Sequence, residues 1–545
     1  MKNKHLFGVG ATALLSLGVL VGCGGDKEYD EKGRMILTLK NVYFGQWEGA
    51  DMYTEILNDK FGVKITPSNY SYEDWDNQVN TAINGDNITD TIHYNLKAYN
   101  FGKTYERWVR NDHMFKALPD NMSKWPNIAA AINKASNVNA LKIDGKLYGI
   151  PILNDIKNAD KDFSNMTYVY RKDVVRAIDQ TKGTHLLRED DVYTWQEFQD
   201  LLVGLSAEAN SHQKTYPIAD EQWGFPSVTN FFKNSPHCYT KDANGRAINA
   251  FTSPEYEAGL EVAKTYVEKH YYSPDQYNYS DGQANKEYIA GRAYILYDNF
   301  SLANYTTLRT EIAKKNKNTP NFNLDEATAF LKVKDPSGKF AIEGTENWFS
   351  MTFFNDLMSD EKQAKILDII EYLLTDEGTR FAIYGKEGYD YIMNGDQVEL
   401  TEMGWERDPI TGKIVVTSPE EKPNGARYLR YMASLGNETK AYDPFTQQDA
   451  YDAYMKWVSD ISEAKAQGLL RIVREPEDIA WMSTPKKNEK TAGYLEDANN
   501  AAMKYAFQSV DPKITIKTIA DYEAKIAEGT YWPTILEEIN TKLGV

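Results

Sequence analysis

Two cysteines among 545 residues leave nothing from which to build a disulfide scaffold, and Cys23 and Cys238 are too far apart to read as a metal knuckle. Histidine is scarce as well. The seven, at positions 5, 93, 113, 185, 212, 237 and 270, lie at least 20 residues apart and none precedes a glutamate, so no His-Glu-x-x-His zinc helix exists. The sequence also lacks a Gly-x-Ser-x-Gly elbow and a Gly-x-x-x-x-Gly-Lys-Ser/Thr loop, the starting signatures of lipase-like serine hydrolases and P-loop NTPases. No cofactor or metal is therefore expected. Basic residues are in deficit, 61 against 79 acidic ones, and the net charge of −18 opposes a polyanion, which argues against nucleic acid as a partner. There is no internal repeat and no low-complexity tract.

What is present is a globular composition. The chain is 42% hydrophobic and long enough for two to four domains at roughly 100–200 residues each. Tyrosine (37) outnumbers phenylalanine (21), and tryptophan adds 11, so most of the aromatic rings carry a polar handle suited to half-wet surfaces. At the start, Lys2 and Lys4 precede the uncharged run from Leu6 to Gly22, which is short for a permanent membrane helix and reads as a signal-peptide core. Leu20-Val21-Gly22-Cys23 resembles a bacterial lipobox. That resemblance implies cleavage before Cys23 and diacylglyceryl transfer to its thiol, hence a lipid anchor on the outer face of the cell membrane. Residues 23–34, small and charged, read as a flexible tether. Cys238 is then left without a partner in the chain and reads as a buried or semi-buried thiol.

Further along, strands and helices alternate. Met35 to Phe44 reads as a strand, Ala50 to Phe61 as a helix, Val63 to Tyr70 as a strand, Tyr72 to Ala82 as a helix capped by Ser71, and Thr89 to Tyr94 as a strand. Such alternation argues for a parallel sheet with helices on its faces, whose ligands sit beyond the carboxyl ends of the strands. Tyr43, Phe44 and Trp47 after the first strand, and Asn95 and Tyr99 after the third, would then share one rim. Ala140 to Pro151 reads as a hairpin turning at Asp144-Gly145. Thr194 and Glu197 form a capping box, Pro254 to Tyr266 and Asp360 to Tyr384 read as long helices, and Ala293 to Tyr297 reads as a strand.

The ordered set Asp173, Thr194-Trp195-Gln196-Glu197-Phe198, Gly291-Arg292-Ala293-Tyr294, Leu373 to Gly378 and Tyr384 to Tyr391 (YGKEGYDY) resembles family 1 extracellular solute-binding proteins. The lipoprotein branch near LplA-like and alginate-binding receptors fits best. This resemblance implies an α/β fold of type 2 periplasmic-binding-protein form, with two lobes, parallel-rich sheets with helices on both faces, and a hinge. The expected division is signal peptide 1–22, tether 23–34, first lobe 35–165 with 292–345, and second lobe 166–291 with 346–545. It also implies a carbohydrate receptor, expected as a monomer, that delivers its ligand to ABC permease subunits and is not an enzyme.

Candidate ligand-binding residues carry two readings each. Tyr43 and Trp47 could cover the C–H face of a sugar ring or pack in the core. Trp223 lies in a turn-like stretch that helical periodicity does not explain, and Trp348 stands beside Asn347 at a strand return between the lobes. Asp298 and Asn299 could hold hydroxyls or cap a helix, while Tyr389 belongs to the family-like stretch and could be structural. Asn95 completes the set. Trp75 and Trp195, at apolar helical spacing, are assigned to the core. Asp325-Glu326 and Asp356 to Glu361 are acid-rich enough to suggest a calcium site, but they lack EF-hand spacing, and a solvated helix face is the commoner reading. Apart from Lys97 the rim segments offer no basic cluster, so a neutral oligosaccharide is expected; the alternatives are a peptide or other small solute, or a surface glycoside hydrolase.

Overall fold

The computed structural model describes residues 28–545 except 46, 72–73, 86, 98–99, 154–160, 213–214, 222–225, 281, 396, 402–427, 430, 433–447, 510–512 and 530. The signal-peptide segment, Cys23 and Trp223 lie outside the described residues. Among the described residues no helix is long and apolar enough to cross a membrane.

Strand β1 (Met35–Asn41) alternates buried and half-buried side chains, so Met35, Leu37 and Leu39 point into one core. The helix Met52–Phe61 follows, with the Asp51 carboxylate accepting the Tyr53 and Thr54 amides, and it stops where Gly62 takes a left-handed conformation. β2 (Val63–Asn69) and β3 (Thr91–Tyr94) both run parallel to β1. The helix between them spans Trp75–Asn84 rather than Tyr72 to Ala82; Asp74, not Ser71, precedes it. β4 (Gly149–Leu153) follows the expected turn, where Asp144 and Gly145 both have positive φ and Ile143 pairs with Lys146.

A second sheet begins with β5 (Met166–Tyr170), β6 (Val192–Tyr193), β7 (Tyr216–Asp220), β8 (Ala293–Asn299) and β9 (Ala329–Val333). Three more strands complete the framework: β10 (Phe340–Glu343), β11 (Trp348–Phe354) and β12 (Leu470–Val473). The first sheet has the order β2-β1-β3-β11-β4 and the second β6-β9-β5-β8-β7, while β10 and β12 form a parallel pair. The protein is an α/β molecule of two lobes, each a sheet flanked by helices.

Two expectations are corrected here. The sheets are mixed rather than parallel-rich, since β11 runs antiparallel to β3 and β4, and β5 runs antiparallel to β8 and β9. The reason is directional: β1 and β3 run toward the other lobe, whereas β5 and β11 are entered from segments that arrive from it. The lobe boundaries also differ. β8 and β9, expected in the first lobe with 292–345, pair with β5 in the second sheet, and β11, expected in the second lobe with 346–545, lies between β3 and β4 in the first. Burial explains the exchange, because Met351, Phe353 and Phe354 complete the first core while Ile295 and Leu296 are fully covered in the second lobe.

The expected tether is ordered over its last residues. Ile36 donates its amide to Glu28, Asp30 and Arg34 close a turn, and the Arg34 guanidinium reaches Glu55 at 2.9 Å. The expected helix from Asp360 to Tyr384 is two helices, Asp360–Leu373 and Asp376–Tyr384. Thr375 caps the second, and Gly378 passes so close to the Tyr372 carbonyl that a Cβ would collide with it. Beyond residue 395, the helix Gln448–Ala466 places Trp457 and Ile461 in the second lobe, and the helix Pro485–Gln508 buries Met503, Ala506 and Phe507 there.

Candidate ligand-binding cleft

Strand pairing decides which ends of the two sheets face the junction. Leu153, the last residue of β4, stands opposite Trp348, the first of β11, and Met351 of β11 stands opposite Tyr94 of β3. The carboxyl ends of β1 and β3 therefore share a rim with the chain's exit from β4 and its re-entry at β11. In the second sheet Asn299, at the end of β8, pairs with Met166, at the start of β5. The carboxyl ends of β7 and β8 thus flank the same junction. Tyr43 and Asn95 stand at these strand ends of the first sheet, and Asp298 and Asn299 at those of the second.

On the first rim Tyr43 is half-buried and belongs to an aromatic ledge. Its ring stacks on Tyr431 with 4.9 Å between centroids, and Phe349 (6.0 Å) and His93 (5.7 Å) stand beside it. Asn41 fixes this arrangement by donating from Nδ2 to the Tyr431 carbonyl at 3.2 Å. His93 is fully buried, its Nε2 lies 2.6 Å from Ser350 Oγ, and burial holds its pKa down to about 3, so the ring is neutral. Asn95 is half-buried and its Oδ1 has no hydrogen-bond partner among the described residues.

Trp47 does not present a platform. It is 4% exposed, its Nε1–H donates to Asp51 and Thr54 at 3.0 Å each, and Tyr428 stacks over it at 5.5 Å. Trp348 is likewise core, 3% exposed, donating to the Ser136 carbonyl at 2.8 Å and lying against Trp481. In both cases the indole N–H is satisfied inside the protein, which favours packing over ligand contact. Tyr389 is 42% exposed on the Lys386–Asp390 turn at the same end of the first lobe. That turn is built by Asp390, which accepts the Lys386 amide at 2.7 Å and the Tyr53 hydroxyl at 2.8 Å. Gly385 (φ 100°) permits it, since a Cβ there would strike the Asp390 carboxylate.

On the second rim Asp298 is buried and occupied, accepting Asn285 Nδ2 at 2.7 Å and the Asn299 amide at 2.6 Å. It does not cap the following helix, a task performed by Ser301. Asn299 is half-buried, and its Oδ1, like that of Asn95, has no partner among the described residues. Asp220, at the end of β7, accepts the Ser227 amide and hydroxyl at 2.8 Å, and burial pushes its pKa up to about 6. These two bonds join residues on either side of Trp223 in the chain.

Charged groups that the sequence pattern did not single out meet at the junction. Lys233, buried on the second lobe, pairs with Glu343 of β10 at 3.0 Å. Burial pushes the Glu343 carboxyl up, but Lys233, His237 and Lys97 together bring it below the usual range. Lys97, from the first lobe, is lowered by desolvation and supported in its charged form by Asp76, Glu346 and Glu343. Burial likewise holds the His237 pKa down to about 4. The named rim segments carry no basic residue but Lys97, yet Lys233, after the 3-10 turn Ser227–Phe231, brings a cation to the junction from outside them, already matched by a carboxylate.

No protein-family profile and no curated protein sequence matches the chain. Solved structures match it in fold. The alginate-binding protein AlgQ2 without calcium ion is 12% identical, over 95% of this chain and 98% of that one, with a TM-score of 0.61. An extracellular solute-binding protein from Bifidobacterium longum subsp. infantis is 12% identical over 94% and 99%, with a TM-score of 0.62. The S. pneumoniae ABC-transporter substrate binding protein FusA, in complex with kestose, is 13% identical over 93% and 99%, with a TM-score of 0.60. The chain has the two-lobe solute-binding fold.

Within the solute-binding fold the ledge residues Tyr431 and Phe349 escaped the sequence reading for different reasons. Tyr431 joins Tyr43 from 388 positions away, with no local signal. Phe349 had one: it neighbours Trp348 on a strand, where alternation puts adjacent side chains on opposite faces.

Proposed function

We propose that the protein is the lipid-anchored substrate-binding component of an ABC importer, capturing a neutral oligosaccharide between its lobes and handing it to a membrane permease. The observation that carries the reading is the half-wet ledge of Tyr43, Tyr431 and Phe349 at the junction of a solute-binding fold, with the Asn95 amide on the same rim and the Asn299 amide on that of the other lobe. Aromatic faces cover sugar C–H surfaces, and amides such as Asn95 and Asn299 accept from hydroxyls. The Lys233–Glu343 pair supports a neutral ligand, because the cation is already compensated. The similar structure of FusA was solved in complex with kestose, which agrees with this choice.

Tyr43, Asn95, Asn299 and Trp223 are proposed as ligand contacts, with Tyr389 at the outer edge. Trp47, Trp348 and Asp298 are assigned structural roles instead. Cys23 is proposed as the acylated residue and 1–22 as the removed leader. A thermal-shift screen of glycans tests the reading: one oligosaccharide class should raise the melting temperature, and release of shorter sugars during the assay would point to a hydrolase instead.

A further inference from the structure

Two described segments cross between the lobes, 161–165, leading into β5, and 344–347, joining β10 to β11; a third, 474–484, leaves β12 in the second lobe, touches the first, and returns in the helix Pro485–Gln508. Their backbones are laced together. Gly344 donates to Val473 at 2.8 Å, Thr345 to Asp162 at 3.1 Å, and Ser164 to Glu343 at 2.8 Å, with a bridge between Phe163 and Gly344.

One side chain joins all three. Arg474 Nη2 donates to the carbonyl of Asp162 at 2.8 Å and to that of Thr345 at 2.8 Å, while Nη1 reaches Glu477 within its own segment at 3.2 Å. The guanidinium lies over Gly344, where a Cβ would come within 2.5 Å of Arg474 Nε and 2.7 Å of Ile472 Cγ2. Beyond this point the third segment engages the first lobe: Trp481 packs on Phe101 at 5.7 Å and on Trp348 at 5.9 Å, and the Ser483 hydroxyl bonds to Glu106.

We infer that Arg474 is the pivot of the interlobe hinge, a positioning residue that ties the three segments at one point so that the lobes turn about it instead of sliding. A planar fork with fixed donor directions suits this task, since it holds two carbonyls in register while the residues on either side rotate. A lysine retains the charge but not the fork. Gly344 is part of the device, because any side chain there displaces the guanidinium.

The inference rests on the reading of the protein as a receptor that closes on its ligand, but its test needs no ligand. Spin labels are placed at Asp59→Cys on the first lobe and Val203→Cys on the second, both exposed, in a full-length Cys23→Ser background; Cys238 is buried and stays unlabelled. In Arg474→Gln and Arg474→Lys the interlobe distance distribution should broaden, and amide exchange at Gly344 and Thr345 should accelerate roughly tenfold, as expected for a lost charge-assisted bond. Gly344→Ala, which keeps the arginine, should reproduce both changes. Unchanged distances and exchange in folded Arg474 variants overturn the inference, as does a lowered melting temperature with the distance distribution intact, which would make Arg474 merely structural. Failure of every glycan to bind would count against the proposed ligand and leave this result standing.

Discussion

At the residue scale, the two aromatic side chains that follow β1 separate by function. Tyr43 is half-buried on the ledge, whereas Trp47 fills the core with its N–H satisfied. Tyr43→Ala should weaken glycan binding by about 1–3 kcal/mol with little loss of stability. Trp47→Ala should instead destabilise the fold by about 3–5 kcal/mol, the range for a buried aromatic truncation. Calorimetry with the screened glycan and denaturant unfolding of both variants check the split. The sequence could place both residues at a rim but could not tell which ring finds an internal acceptor, because Thr54 and Asp51 become partners only once the helix Met52–Phe61 folds back. A second residue-scale effect concerns Glu257, whose pKa is pushed up to about 7 by burial and by Glu523 on the helix Ile519–Ala527. The folded state holds this proton more tightly than the unfolded chain, whose glutamate titrates near 4.5. Its contribution is therefore full below about pH 4.5 and is lost as pH rises to about 7. Glu257→Gln should raise the melting temperature relative to wild type at pH 8, with the gain shrinking toward pH 4.5 in a thermal melt series.

Elements were legible where the signal is local. The box of Thr194 and Glu197 forms as its spacing predicts, with Glu197 accepting the Thr194 amide at 2.8 Å and Thr194 accepting the Glu197 amide. Thr194→Ala should cost about 0.5–2 kcal/mol of stability, measured by denaturant unfolding. The Asp144-Gly145 turn was legible for the same reason. The break at Thr375 was harder to read, since apolar spacing continues from Ile370 through Phe381 and the interruption is fixed by the approach of Gly378 to a carbonyl of the preceding helix. The apolar run of β11 does not reveal its sheet, because its place between β3 and β4 is set by the burial of Met351, Phe353 and Phe354 in the first core.

At the scale of the whole molecule, the two-lobe fold was legible through an ordered set of short motifs, while the cleft was legible only in part. Its rims follow from strand direction, whereas Tyr431 joins Tyr43 from 388 positions away, and Lys233 and His237 come from outside the rim segments. The anchor is a separate matter of the leader. Cys23→Ser should abolish incorporation of a labelled fatty acid, and label retained on that variant would refute acylation at this thiol. The central claim is that ligand joins both rims at once, and so favours a closed form that makes contacts on both lobes. Small-angle scattering of the protein with the glycan selected by thermal shift tests it directly. The radius of gyration should fall at saturation, and the midpoint of the change should move little with added salt, as a neutral ligand requires. An unchanged radius at saturating ligand, or a midpoint that weakens steeply with salt, would contradict the account.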